Sequence, residues 1–241
     1  MSKNFKPIFS YNDDLNKNAY LNWRMLRWDR RQNLNAIAHG YYDAAISLAQ
    51  SCVDDNCDKK ADELIFPILF NMDHSIELYL KSIMWSAHWL NDDYENSFKR
   101  THDLQDLYQK TKEAIHSLGK EDEDNFIDKT DNLSQYICEL YSLLHPAEQG
   151  QQKDNLDLFR YPMSRDQKPY FYAENSNENV TIDLENFIVR FQKIGKTLNC
   201  LADYYDELVD KKIEVEADTR QLEDECQAEM EAELYFLGYK F

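Results

Sequence analysis

Glycine and proline are scarce in this 241-residue chain, five of each, and that scarcity argues against a sandwich or barrel, whose many hairpins need turn-formers. Long apolar runs are missing too. The longest nearly uncharged stretches, residues 64–72 and 82–91, fall well short of the ~20 residues of a membrane-spanning helix, so no membrane span is expected. Cysteine is neither abundant nor paired. Cys52, Cys57, Cys138, Cys200 and Cys226 form no CxxC and are odd in number; with no signal-peptide pattern ahead of them, they fit a reducing cytoplasm better than a disulfide framework. Positive charge is in deficit: 27 Lys and Arg against 45 Asp and Glu leave a net −18. That balance excludes broad electrostatic binding to DNA and leaves room only for a local basic patch.

Catalytic signatures are absent as well. There is no Gly-rich phosphate loop, GxSxG elbow, HExxH, EF-hand loop or paired-cysteine metal site. No two histidines stand at the i, i+4 spacing of a helical zinc pair, and neither a metal nor a cofactor is expected.

What the chain does have is apolar material in helical register. Hydrophobic residues make up 43% of it, with 16 Tyr and 12 Phe, enough to build a core. Residues 20–31 read as a short helix, and Ile37, Tyr41, Ala44, Leu48 and Cys52 mark a longer one over residues 33–52. The clearest pattern lies in residues 60–90, where Ile65, Leu69, Met72, Ile76, Leu80, Ile83, Ala87 and Leu90 step by three and four. The opposite flank carries Phe66, Phe70, Met84 and Trp85, and a helix apolar on more than one side is central or covered by a second subunit. Thr101 or Asp103 can cap the next helix, through Ile115. A further helix is expected from the acidic residues 121–124 to Leu144. The pattern is then lost over residues 145–169, a long proline-framed loop holding Phe159-Arg160-Tyr161-Pro162. Residues 170–173 and 180–182 suggest a small hairpin. From the N-cap candidate Asp183, Leu184, Phe187, Phe191, Ile194, Leu198, Leu201, Tyr205 and Leu208 form one sustained seam. Beyond Lys212 the stripe thins into a projecting acidic helix. The fold class expected is all-α: an arm with a short helix over 1–32, a bundle over 33–212 and an acidic helical arm over 213–241.

Charge is segregated along this framework. Residues 3–42 hold 7 Lys/Arg and 3 Asp/Glu, whereas residues 203–233 hold 13 acidic and 3 basic side chains. Arg24, Arg27, Arg31 and Trp28 form the one basic and aromatic cluster. It suits phosphate gripping and base stacking, or an internal clasp with the acidic C-terminal helix. Glu77 and Lys81, acid before base at i, i+4, are an ordinary helical ion pair if exposed. Among Phe70, Met84 and Trp85 they would instead be partly desolvated, as groups at functional sites are. His102 can shuttle a proton and Arg160 can stabilise a phosphorane; equally, His102 can belong to a helix start and Arg160 can tie its loop to the bundle.

Phe66-Pro67-Ile68-Leu69-Phe70, then His74-Ser75-Ile76-Glu77-Leu78-Tyr79-Leu80-Lys81, His102-Asp103-Leu104 and Phe159-Arg160-Tyr161-Pro162 together resemble the HEPN superfamily. These are helical domains of prokaryotic toxin–antitoxin, abortive-infection and CRISPR-associated systems. The resemblance covers residues 34–208 and marks a divergent member. It implies a four-to-five-helix bundle, a homodimer and, in the active branch, metal-independent RNA cleavage by an Arg followed by a His after four to six intervening residues. Here that spacing fails. Arg165, Asp166 and Gln167 occupy the positions after Arg160, and Gln105, Asp106 and Leu107 those after Arg100; Arg31 and His39 have seven residues between them. The expectation is therefore a non-catalytic or degenerate module binding RNA, a nucleotide or a toxin, antitoxin or defence-system protein, with the acidic helix available to cover a basic partner. The alternative is a divergent metal-independent ribonuclease using Glu77, Lys81, His102 and Arg160.

Overall fold

The computed structural model describes residues 6–21, 25, 30–96, 101–143, 157–163, 167–174 and 179–236. Among them the chain is helical, with no β-strand. The helices are α1 (Arg30–Asp54), α2 (Ala61–Leu90), α3 (Leu104–His116), α4 (Lys120–Lys129), α5 (Asp131–Leu143), the single turns α6 (Asp157–Arg160) and α7 (Phe171–Glu174), and α8 (Leu184–Phe236). No helix of the described residues is long and apolar enough to cross a membrane.

The central position belongs to α2. Every residue from Ser75 to Met84 is buried, as a helix apolar on several sides requires, and α1, α3, α6 and α8 all pack on it. The approach of α1 is close because its facing residues are small: Ala38, Ala45 and Ala49 are fully buried. Ser75 and Ser82 of α2 donate across the seam to the carbonyls of Ala38 (2.9 Å) and Arg31 (3.2 Å), so their hydroxyls enter the core already satisfied. α8 closes against the same pair. At Gly195 a Cβ would sit 2.2 Å from Cε2 of Tyr42, closer than any real contact. Gly195→Ala is therefore expected to cost about 1–3 kcal/mol by forcing Tyr42 or the helices apart, measured by thermal denaturation. An unchanged melting temperature would show that the α1–α8 contact yields freely.

Three local features differ from the periodicity-based expectations. The helix expected from residue 121 to Leu144 is broken into α4 and α5 at Thr130, whose backbone leaves the helix (φ −97°, ψ 16°). The buried Thr130 hydroxyl donates to the Phe126 carbonyl at 2.6 Å and accepts from Tyr108 at 2.9 Å; the apolar stripe runs through the break, so periodicity carries no sign of it. The hairpin is not formed. Phe171–Glu174 is a helical turn and residues 180–182 are not strand. Two strands alone are marginal, and the aromatic residues here serve the bundle instead: Tyr170 is buried, and Tyr172 packs edge-on against Phe66. An isolated antiparallel β-bridge joins Met163 to Pro169. The short helix expected over residues 20–31 falls largely outside the described residues; Tyr20, Leu21 and Met25 are not helical, and Arg30 opens α1.

Asp183 caps α8, accepting from the backbone N–H of Asn186 at 3.1 Å. At 53 residues the helix runs about 80 Å. Val209 is its last fully buried residue. Three residues on, the Lys212 ammonium donates to the carbonyls of Trp89 (3.3 Å) and Leu90 (3.1 Å) and to Asp92 (2.5 Å), placing a cation at the negative end of α2. From Ala217 outward the described residues are exposed.

Candidate functional site

Glu77 lies in the most buried part of α2, with 1% of its side chain exposed. A carboxylate there needs partners, and it has three. Lys81, one turn on, donates to Oε1 at 2.5 Å. His102 Nδ1 lies 2.8 Å from the same oxygen, and His74 Nδ1 lies 3.3 Å from Oε2. Burial pushes the Glu77 carboxyl up, but the hydrogen bonds from His74 and Lys81 and the charges of Lys81 and His102 outweigh it, and the net shift is downward. Glu77 is thus held as a carboxylate. Because a carboxylate only accepts, Nδ1 is the donor in each imidazole, and Nε2 of neutral His102 carries the lone pair.

His102 is placed by the start of α3. Asp103, the next residue, is the N-cap, accepting from the N–H of Asp106 at 2.9 Å. Tyr141 of α5 donates to the same Asp103 carboxylate, so the two neighbouring helices fix the turn that carries the imidazole. The His102 side chain remains 45% exposed, in contrast to the buried Lys81. His74 is more enclosed: Phe70 stacks on it at 5.8 Å and Tyr41 meets it edge-on at 4.5 Å.

Comparison with family models, characterised proteins and solved structures returned no match. The geometry therefore carries the functional argument.

Of the four candidate residues Glu77, Lys81, His102 and Arg160, the first three meet in one hydrogen-bonded cluster. Arg160 stands one aromatic ring away: its guanidinium lies 5.6 Å over Phe70, the ring that stacks on His74, and 5.3 Å over Tyr161. Its ion pair with Asp157 is long, 3.7 Å. The turn that carries Arg160 is held by Tyr172, whose hydroxyl lies 2.8 Å from the carbonyls of both Leu158 and Tyr161. His74 completes the cluster, and its i, i+3 spacing to Glu77 is the sequence signal that marks it.

Of the basic and aromatic cluster, Arg24, Arg27 and Trp28 lie outside the described residues. Arg31 is turned inward rather than presented to a nucleic acid. It is 7% exposed, paired with Asp206 at 3.4 Å and Asp210 at 3.5 Å, and 5.4 Å over the Trp89 ring. It joins the start of α1 to α8 within the bundle. Among the described residues no set of three His, Cys, Asp or Glu side chains is arranged to hold a metal ion.

One turn before Glu77, Asp73 is fully buried. Tyr136 of α5 donates to its Oδ1 at 2.5 Å, while Oδ2 has no hydrogen-bond partner. Burial pushes the carboxyl up to about 7, against the opposing bond from Tyr136 and with the Glu77 charge adding to it. Adjacent turns of α2 therefore hold one carboxyl ionised and the other at the edge of ionisation at neutral pH.

Proposed function

We propose that the chain is a HEPN-like helical module of a bacterial defence or toxin–antitoxin system, and that it recognises RNA on the face carrying His102 and Arg160. The observation that supports this reading is the gathering of His74, Lys81 and His102 around the Glu77 carboxylate. The His102 imidazole both satisfies the buried acid and stays half-exposed, with its tautomer set by that acid. Such an imidazole offers Nε2 to a ribose hydroxyl or, when protonated, to a phosphate. In a chain of net charge −18 the contact with RNA must be local, so few counterions are released and the salt dependence of binding is shallow. A homodimer and a toxin, antitoxin or defence-system partner belong to the same proposal.

The second reading is cleavage, favoured by the two imidazoles that share Glu77. Metal-independent cleavage needs a base for the 2′-hydroxyl proton and an acid for the departing 5′-oxygen as the phosphorus–oxygen bond is exchanged. His102 and His74 are the two groups available, with Arg160 on the developing negative charge.

Both readings are tested by incubating the full chain with mixed cellular RNA in the presence of a chelator, comparing wild type with His102→Ala and Arg160→Ala. The expected result is RNA retained intact by wild type, with retention falling about tenfold in each variant, the loss of one charge-assisted contact. Cleavage lost in both variants would replace the binding reading with the catalytic one, and a wild type that neither retains nor cuts RNA would overturn both.

A further inference from the structure

We infer that the open cleft lined by Phe66, Pro67, Phe70, Phe159, Arg160 and Tyr161, about 330 Å³ in volume, is a nucleobase-stacking subsite. It would take one nucleoside monophosphate unit, the base against the aromatic rings and the phosphate on Arg160. The inference rests on the RNA reading above and gives it a point of attachment.

The lining is matched to that ligand in three respects. Arg160 has donors to give: among its contacts are two ring faces and a carboxylate at 3.7 Å, beyond hydrogen-bond length, while a guanidinium carries five N–H groups. Its side chain is 46% exposed, so a phosphate can reach it without displacing a buried partner. The rings are exposed as well, Tyr161 at 50% and Phe66 at 37%. Single exposed rings are ordinary, but here Phe70 and Tyr161 flank one guanidinium and Phe66 lines the same cleft, which leaves Tyr161 and Phe66 as the ring surfaces on which a base can stack. A bare anion would need no rings, and an apolar ligand would need no guanidinium. The volume suits a small ligand.

The cleft is also braced from two sides and near the cluster. Pro67 lies inside α2, with its φ fixed by the ring, and Tyr172 ties down the turn that carries Arg160. Phe70 is common to both places: Arg160 lies over it and His74 stacks on it. A base lodged in the cleft therefore sits one ring away from His74 and the Glu77 carboxylate.

The test is calorimetric titration of the full chain, in chelator, with adenosine 5′-monophosphate, ribose 5-phosphate, adenosine and inorganic phosphate. Wild type should bind the monophosphate more tightly than any of the others. Tyr161→Ala, a change at a half-exposed side chain that leaves the core intact, should weaken the monophosphate about five- to a hundredfold, the range of a lost base-stacking contact, and bring it level with ribose 5-phosphate. Arg160→Ala should instead bring it level with adenosine, with Arg160→Lys in between. Equal binding of the monophosphate and ribose 5-phosphate, a Tyr161→Ala variant that binds as wild type does, or no binding at millimolar nucleotide would each overturn the subsite. The two proposals separate cleanly. Nucleotide bound in the cleft by a protein that neither retains nor cuts RNA would remove the RNA reading alone, and RNA held equally by wild type and Tyr161→Ala would remove the subsite alone.

Discussion

Glu77→Ala is expected to destabilise the chain by about 3–5 kcal/mol, because it removes the acid from a buried ion pair with Lys81. In a domain of this size that is a fall in melting temperature of about 6–20 °C. The loss should be largely reversed in the double variant Glu77→Met, Lys81→Met, since replacing both members of a buried pair by apolar groups of similar length is often neutral. The double variant then becomes the informative one. If it melts near wild type but no longer retains RNA, the cluster serves recognition rather than folding; if it retains RNA normally, the cluster is structural and the functional proposal fails. Acid provides a further check. A carboxyl held below its ordinary value of 4.5 contributes stability that is complete above that value and is lost as pH falls through the lowered one. The acid limb of the wild-type stability curve should accordingly be steeper than that of Glu77→Gln.

Asp73 is expected to act in the opposite sense. Its carboxyl titrates near 3.8 in the unfolded chain and near 7 in the folded one, so the folded state holds the proton more tightly. The resulting stabilisation is complete below pH 3.8 and is lost progressively as pH rises towards 7. The whole change is on the order of 4 kcal/mol at 1.36 kcal/mol per unit. Asp73→Asn keeps an oxygen for the Tyr136 hydroxyl and removes the ionisation. That variant should melt above wild type at pH 8, and the interval from pH 4 to 7 should lose the downward slope that Asp73 contributes. A chemical-denaturation series across that interval measures both effects. An unchanged slope would mean that Asp73 ionises in the folded chain as it does in the unfolded one.

The centre of this arrangement was legible in the sequence and its rim was not. Glu77 and Lys81 stand at helical spacing among large apolar residues, so their meeting and their burial follow from the period of α2. His102 lies just before a capping aspartate, a position that turns a side chain out of a helix start, but which side chain it would meet depends on packing between α2 and α3. Arg160 comes from a stretch without periodicity, and its place beside Phe70 is set by the hydroxyl of Tyr172, a contact that no spacing encodes. Thr130 shows the converse limit. A threonine within a continuous apolar stripe is unremarkable until Tyr108 and the Phe126 carbonyl are both found bonded to it. By composition Arg31 belonged either to a phosphate-gripping cluster or to a clasp with the acidic C-terminal helix, and its pairs with Asp206 and Asp210, within the bundle part of α8, are of the second kind.

The exposure of α8 beyond Lys212 makes one continuous helix two cooperative units. The segment up to Val209 can lose its backbone hydrogen bonds only when buried side chains are uncovered, so its opening is tied to that of the bundle. Beyond Lys212 each turn can open in succession from the end without uncovering the core, and acidic side chains at the negative end of a helix favour that fraying. Amide protons along a single helix should accordingly exchange in two classes, with the boundary at the lysine that caps α2. Within α8, backbone accessible to a protease lies on the outer side of that boundary, so limited digestion of this helix would fall on the arm.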